Sequence, residues 1–239
     1  MANTDLAGFS VQLKCKYDFT ARLIRGYESD CPQADFIVSA SDDEIAAEVQ
    51  QTGRDVGSCE AVCLYRKFCL QLPEHDAFVL HASVVEAEGH GVAFLGASGA
   101  GKSTHTALWM KCFPQKVHII NGDKPIVRMR QTNSVTEFWA YGTPWAGKEH
   151  WQSRAGVPLS ALVFIEQAQV NSICRLNVSE LLPRLFKQLL LPANATSGTR
   201  FLEMIDVLVQ TVPAYLLCCD ISREAAKLSY NTVINQHKE

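Results

Sequence analysis

The chain lacks any cluster or stripe of Lys and Arg. Its 22 basic and 25 acidic side chains leave a formal net charge of −3. Such a surface offers no electrostatic footprint for nucleic acid, and no nucleic-acid partner is expected. Also missing is an apolar run near the ~20 residues that a membrane span needs, so no membrane partner is expected. The opening Met1-Ala-Asn-Thr-Asp5 has no basic stretch leading into an apolar core, and no secretory signal is expected. None of the nine cysteines forms a C-x-x-C pair. Cys59 and Cys63, four apart on an expected helix, can in principle share a metal. No second pair at zinc-like spacing follows, and small buried thiols are the plainer reading. A reducing, cytoplasmic compartment fits this cysteine usage. With no secretion expected, the sequon Asn194-Ala-Thr196 is set aside. Internal repeats and low-complexity linkers are absent as well.

What remains is an ordinary globular composition, 47% hydrophobic and 20% charged over 239 residues. That is enough for one large domain, or for a core domain with a smaller companion. Residues 1–57 read as a strand-rich module. Val11–Tyr17 alternates apolar and polar residues, Asp35–Ser39 is a second short strand, and Ser41-Asp-Asp-Glu44 is a helix start with a capping box. A helix is expected over 58–72, closed by Pro73. Residues 58–239 then read as an α/β domain. Strands are expected at Phe78–Val85, Gly91–Leu95, Val117–Ile120 and Ala161–Ile165. A hairpin follows from Ile126–Arg130 and Thr136–Tyr141, helices from 178–191 and 199–211, a last strand from Ala214–Cys219 and a last helix from Arg223–Ile234.

The strongest local signal is Gly96-Ala97-Ser98-Gly99-Ala100-Gly101-Lys102-Ser103-Thr104, directly after an apolar strand. It matches G-x-x-x-x-G-K-[ST], the Walker A or P-loop pattern, and each part has a physical role. The glycines let the backbone turn so that its N–H groups face phosphate oxygens. Lys102 can reach the β- and γ-phosphates, and the Ser103 hydroxyl can bind Mg²⁺. A helix starting at Lys102–Thr104 adds partial positive charge at its N-terminus. A nucleotide, with ATP as the commoner choice, and Mg²⁺ are therefore the expected cofactors.

Three further residues stand out. Asp123 ends the strand after the motif's helix, where a carboxylate can bind Mg²⁺ or take a proton from a hydroxyl. His81 sits on the expected Phe78–Val85 strand; on physics alone it is either a core histidine or a site residue. Lys148 lies in Gly142-Thr-Pro-Trp-Ala-Gly147-Lys148-Glu149, a turn-rich loop that can close over phosphates or stay a solvated surface turn.

Together these residues resemble the kinase domain of HPr kinase/phosphorylase and its relatives, a group that shares its fold with phosphoenolpyruvate carboxykinases. The resemblance rests on His81-Ala-Ser83, Gly96–Thr104, Asn121-Gly-Asp123-Lys-Pro125, the Gly142–Lys148 loop and Pro158–Ile165. It spans roughly residues 58–235. It implies a mixed-sheet P-loop fold of the HPr kinase/PEP carboxykinase type, with the small N-terminal module attached. It also implies that Gly96–Thr104 hold the nucleotide, Ser103 and Asp123 the metal, and that His81 lies near the phosphates and Asp123. The family carries two adjacent acids where this chain has only Asp123. The family's C-terminal dephosphorylation signature and HPr kinase's own N-terminal domain are not recognisable, so the chain reads as a divergent relative.

The expected activity is Mg²⁺-dependent transfer of a γ-phosphoryl group to a hydroxyl, on Ser or Thr of a peptide or small protein. Asp123, His81, Lys102 and Lys148 (or Arg154) are the expected catalytic residues. A small-molecule kinase acting on a hydroxy amino acid and a nucleotide-binding regulatory subunit stay open as alternatives. So does assembly into a homo-oligomer.

Overall fold

The computed structural model describes residues 3–132, 135–192 and 194–235. A small sheet opens the chain, built from β1 (Asn3–Leu6), β2 (Phe9–Lys14), β3 (Glu28–Ser29) and β4 (Phe36–Ser39) in the order β3-β1-β2-β4. Helix α1 (Asp18–Leu23) lies within it, and α2 (Asp42–Thr52) and α3 (Val56–Cys69) follow. The capping box expected at Ser41 is present: its side chain accepts from Glu44 N–H, and Glu44 answers the Ser41 N–H. Helix α3 begins earlier than its apolar stripe suggested, because the Asp55 carboxylate caps it by accepting from Ser58 N–H.

Past a short 3-10 turn at Leu72–His75, nine strands form a curled mixed sheet. These are β5 (Ala77–Val79), β6 (Ser83–Ala87), β7 (His90–Leu95), β8 (Val117–Asn121), β9 (Ile126–Thr132), β10 (Val135–Tyr141), β11 (Gly156–Gln167), β12 (Ser172–Arg175) and β13 (Ala214–Cys219). Helices α4 (Lys102–Cys112), α5 (Val178–Phe186), α6 (Ala195–Thr211) and α7 (Arg223–Asn235) complete the chain. Strands β7, β11 and β13 run parallel, while β6 is antiparallel to both β7 and β8. The long β11 causes the curl: it meets β10 along Gly156–Pro158 and β13 along Leu162–Gln167.

One apolar layer packs α5 and α6 on one side of the sheet, with Phe78, Phe138 and Phe201 fully buried. Another packs α4 and α7 on the other side around Trp109. There the Ser229 hydroxyl accepts from Trp109 Nε1 at 2.8 Å and lies 2.9 Å from His105 Nε2. Burial brings His105 down to about 4, so it is neutral at pH 7. A third cluster joins the small sheet and α3 to Ala77, Val79, Ile126 and Tyr141 of the large sheet. Cys59 and Cys63 are buried thiols in this cluster, and no group of potential metal ligands occurs among the described residues. Among the described residues, no helix is long and apolar enough to cross a membrane.

Two expectations fail in ways that matter. The apolar run Phe78–Val85 is not one strand. Its first part pairs with β9 and its last part with β7 and β8, so the chain leaves one set of partners for the other at Leu80-His81-Ala82. His81 therefore sits in a connection. The helix expected over 178–191 ends at Phe186, because the next residues pair with that connection: His81 N–H donates to Gln188 O at 2.8 Å, and Leu80 bridges Leu189. Nearby, α6 starts at Ala195, capped by the Asn194 side chain.

Glu60 of α3 is fully buried and accepts from Lys16 N–H, Tyr17 N–H and the Thr20 hydroxyl, tying α1 to α3. Glu60→Ala would orphan three donors and is expected to cost about 3 kcal/mol in urea unfolding. An unchanged midpoint would show that the carboxylate has no structural weight.

Candidate functional site

The glycine-rich segment spans β7 and α4 as expected, at the C-terminal end of a parallel strand. Three of its glycines take a positive φ: Gly96 (145°), Gly99 (80°) and Gly101 (106°). At Gly96 the need is also spatial, since a Cβ would stand 3.0 Å from Ile165 O on β11. The Gln167 side chain, farther along β11, donates to Gly99 O at 2.9 Å and braces the loop's tip. The α4 N-terminus has no side-chain cap, so its free N–H groups face the space above the loop.

Lys102 folds back across the loop. Its ammonium donates to Gly96 O (2.8 Å) and Ala97 O (3.2 Å). Burial lowers its pKa, with Lys124 adding to the effect and Asp123 opposing it. One turn on, the Thr106 hydroxyl donates to the buried Ser83 hydroxyl at 2.9 Å and fixes α4 to β6.

Asp123 follows β8 and faces His81, whose Nε2 lies 3.2 Å from Asp123 Oδ1; Lys124 Nζ lies 3.7 Å from the same oxygen. Burial works to raise the Asp123 pKa. The His81 hydrogen bond and the charges of Lys124 and Lys102 outweigh it and hold the carboxyl below its ordinary value. It is therefore ionised at neutral pH.

The backbone around Asp123 is set by Asn121, which is fully buried. Its Oδ1 accepts from Asp123 N–H (2.9 Å) and Lys124 N–H (2.7 Å), while its Nδ2 donates to Thr143 O (2.9 Å). The Thr143 hydroxyl returns a bond to Lys124 O, which also accepts from Tyr65 OH at 2.7 Å. Tyr65 stacks on Trp145, with ring centroids 4.1 Å apart. The 142–149 loop is thus fastened over Asp123. Gly142 has to be glycine, as a Cβ would stand 1.8 Å from Ser153 O.

These elements line a cleft of about 1260 Å³. His81, Ser98, Gly99, Gly101, Lys102, Ser103, Thr104, Asp123 and Lys148 all face it. Gly96, Ala97 and Ala100 are not on its lining; the first two lie behind it as the acceptors for Lys102. Arg154 is not brought to the site. It pairs instead with Asp5 (3.3 Å) and bonds Glu28 O of the small sheet. Glu149 does line the cleft, with its Oε2 3.4 Å, and Asp123 Cβ 3.1 Å, from the point where a Gly147 Cβ would stand.

Sequence reasoning missed Tyr65, Lys187 and Gln188, which also line the cleft. Tyr65 sits within a plain apolar helix pattern, and the other two fall where a helix was expected, so no local signal marks them. Asn121 was noticed as part of a motif but not as the residue that positions Asp123.

No family model matches the chain, and no curated protein matches it. Among solved structures, the Hpr(Ser) kinase/phosphatase from Coxiella burnetii is similar with a TM-score of 0.37 and 11% identity, over 67% of this chain and 90% of that chain. A likeness of that size is too slight to assign chemistry to the cleft.

The Asn121 bonds are open to a direct check. Asn121→Ala is expected to lower stability by about 2 kcal/mol in chemical denaturation, since it removes the acceptor of two half-buried N–H groups and the donor to the buried Thr143 carbonyl. Asn121→Asp, which turns a carboxylate toward Thr143 O, is expected to be at least as harmful. Wild-type stability in either variant would contradict the assigned bonds.

Proposed function

We propose that the chain is a Mg²⁺-dependent phosphotransferase that moves the γ-phosphoryl group of ATP to a hydroxyl, on Ser or Thr of a peptide or small protein. The observation that carries this reading is one cleft lined by an uncapped helix N-terminus, a glycine loop with left-handed turns, a buried Lys102 and an ionised Asp123 held by His81. Loop amides and the α4 terminus suit phosphate oxygens. Lys102, now spent on two carbonyls of its own loop, exchanges them for the β- and γ-phosphates, a stronger pairing because it is charged on both sides.

The donor set suits Mg²⁺, which prefers oxygen ligands and takes few from protein. The Ser103 hydroxyl and the Asp123 carboxylate, both in the cleft, would hold it, with Glu149 as a further oxygen donor nearby. Bound there, the ion would neutralise charge on the phosphates. Asp123 would also orient the acceptor hydroxyl and take its proton. His81 would keep that carboxylate ionised and aimed, and Lys148 would offset charge on the transferring group.

Calorimetric titration of Mg·ATP should show binding to the wild type, weakened roughly ten- to a hundredfold in Lys102→Ala. Asp123→Asn should alter the metal requirement and reduce phosphate transfer by roughly a hundredfold or more. Absence of nucleotide binding by the wild type would sink the proposal. Tight binding without transfer to any acceptor would assign a nucleotide-binding regulatory subunit instead.

A further inference from the structure

The cleft extends well beyond the phosphate end. A pocket for a single drug-sized ligand is commonly about 300–1,000 Å³, and this one is about 1260 Å³. Its far part is walled by α1 and α3 on one side and by residues 187–190 on the other. Phe19, Leu23, Val62 and Leu190 give that part an apolar floor. Arg54 and Lys187 give it charge, and Lys148 stands in the loop between the two ends. No ion pair engages Arg54, Lys148 or Lys187 among the described residues.

A second, independent feature lies at the junction of the two ends. Gln188 is 7% exposed and lines the cleft, yet its carboxamide oxygen has no hydrogen-bond partner among the described residues. Its own backbone carbonyl receives the His81 N–H at 2.8 Å, so the Gln188 backbone is held against the connection that carries His81. A buried amide oxygen left without a partner is unfavourable, and a ligand that pairs with it relieves that cost. A carboxamide both donates and accepts, which matches the N–H and C=O of a peptide unit.

We infer that this far part is the acceptor subsite, and that the acceptor is a peptide segment with carboxylates flanking its hydroxyl residue. This rests on the phosphotransferase reading above. Gln188 pairs with the backbone beside the reacting residue, apolar side chains rest on the α1–α3 wall, and Arg54 and Lys187 take the flanking carboxylates. The hydroxyl then lies at Asp123, with the γ-phosphoryl group arriving from the Lys102 side.

The test is direct binding by fluorescence anisotropy, with the full chain, Mg²⁺ and a non-hydrolysable ATP analogue. The probes are three short fluorescein-labelled peptides with a central Ser: one flanked by Glu, one by Ala and one by Lys. The Glu peptide should bind at least roughly tenfold tighter than the Lys peptide, with the preference shrinking as salt rises. Arg54→Glu, an exposed loop change, should remove or invert that preference, and Gln188→Leu should weaken the Glu and Ala peptides alike. Thermal unfolding of both variants guards against loss of fold; should Gln188→Leu unfold, Gln188→Met replaces it. Equal binding of all three peptides, preference for Lys, or no peptide binding would overturn the inference. The Mg·ATP titration of wild type and Lys102→Ala judges the underlying reading separately.

Discussion

The carboxamide of Asn121 joins segments that are far apart along the chain. On one side it accepts from two consecutive N–H groups and shapes the turn that carries Asp123 and Lys124. On the other it donates to Thr143, the anchor of the 142–149 loop. A charged residue in an open turn samples many positions; one whose backbone is held by buried hydrogen bonds does not. The short approach of His81 to Asp123 depends on that restraint, and so does the cover that the loop places over both. The same node reaches the small sheet's helices through Lys124 O, Tyr65 and the Trp145 stack.

The positive groups of the cleft are of two kinds. At the glycine-loop end they are the uncapped backbone N–H groups of α4 and a lysine side chain bound to its own loop. The backbone N–H groups are already placed, whereas Lys102 has to leave Gly96 O and Ala97 O before it can meet an anion. At the far end the positive groups are long, exposed side chains on loops. These tolerate varied partners and act over a distance set by salt. On the phosphotransferase reading proposed above, the first end would take the invariant phosphate chain and the second the variable acceptor.

Much of the glycine-loop end of the cleft is legible in the sequence because its causes are local. An apolar strand, glycines at fixed spacing and a following helix lie within some fifteen residues, and no distant partner is needed to read them. The Ser41 capping box was legible for the same reason. The break at Leu80–Ala82 was not. An unbroken apolar run looks the same whether its residues pair with one neighbour or two, and the partners that split it, β9 and β7, lie elsewhere in the chain. The early end of α5 is the same effect: residues 187–190 have helix-compatible side chains, but pairing with Leu80 and His81 draws them out. Arg154 has the composition of a site residue, yet an acid on β1 was within reach and claimed it.

The position of the small sheet follows from these constraints. Its core cluster includes Ala77, Val79, Ile126 and Tyr141, so it packs on the large sheet rather than standing apart. Helix α3 contributes to that cluster with one face and to the cleft with another, through Ser58, Val62 and Tyr65. One wall of the cleft therefore belongs to the loop between β7 and α4, and the opposite wall includes the N-terminal elements α1 and α3. Changes in α1 and α3 can reshape what enters beside Asp123 without touching the glycine loop, because α3 reaches the opposite side of the cleft through the Tyr65 bond to Lys124 O, the Tyr65–Trp145 stack and the Trp145 Nε1 bond to Ala61 O. On the proposed reading, such a division would let one phosphate site serve different acceptors by variation in α1 and α3.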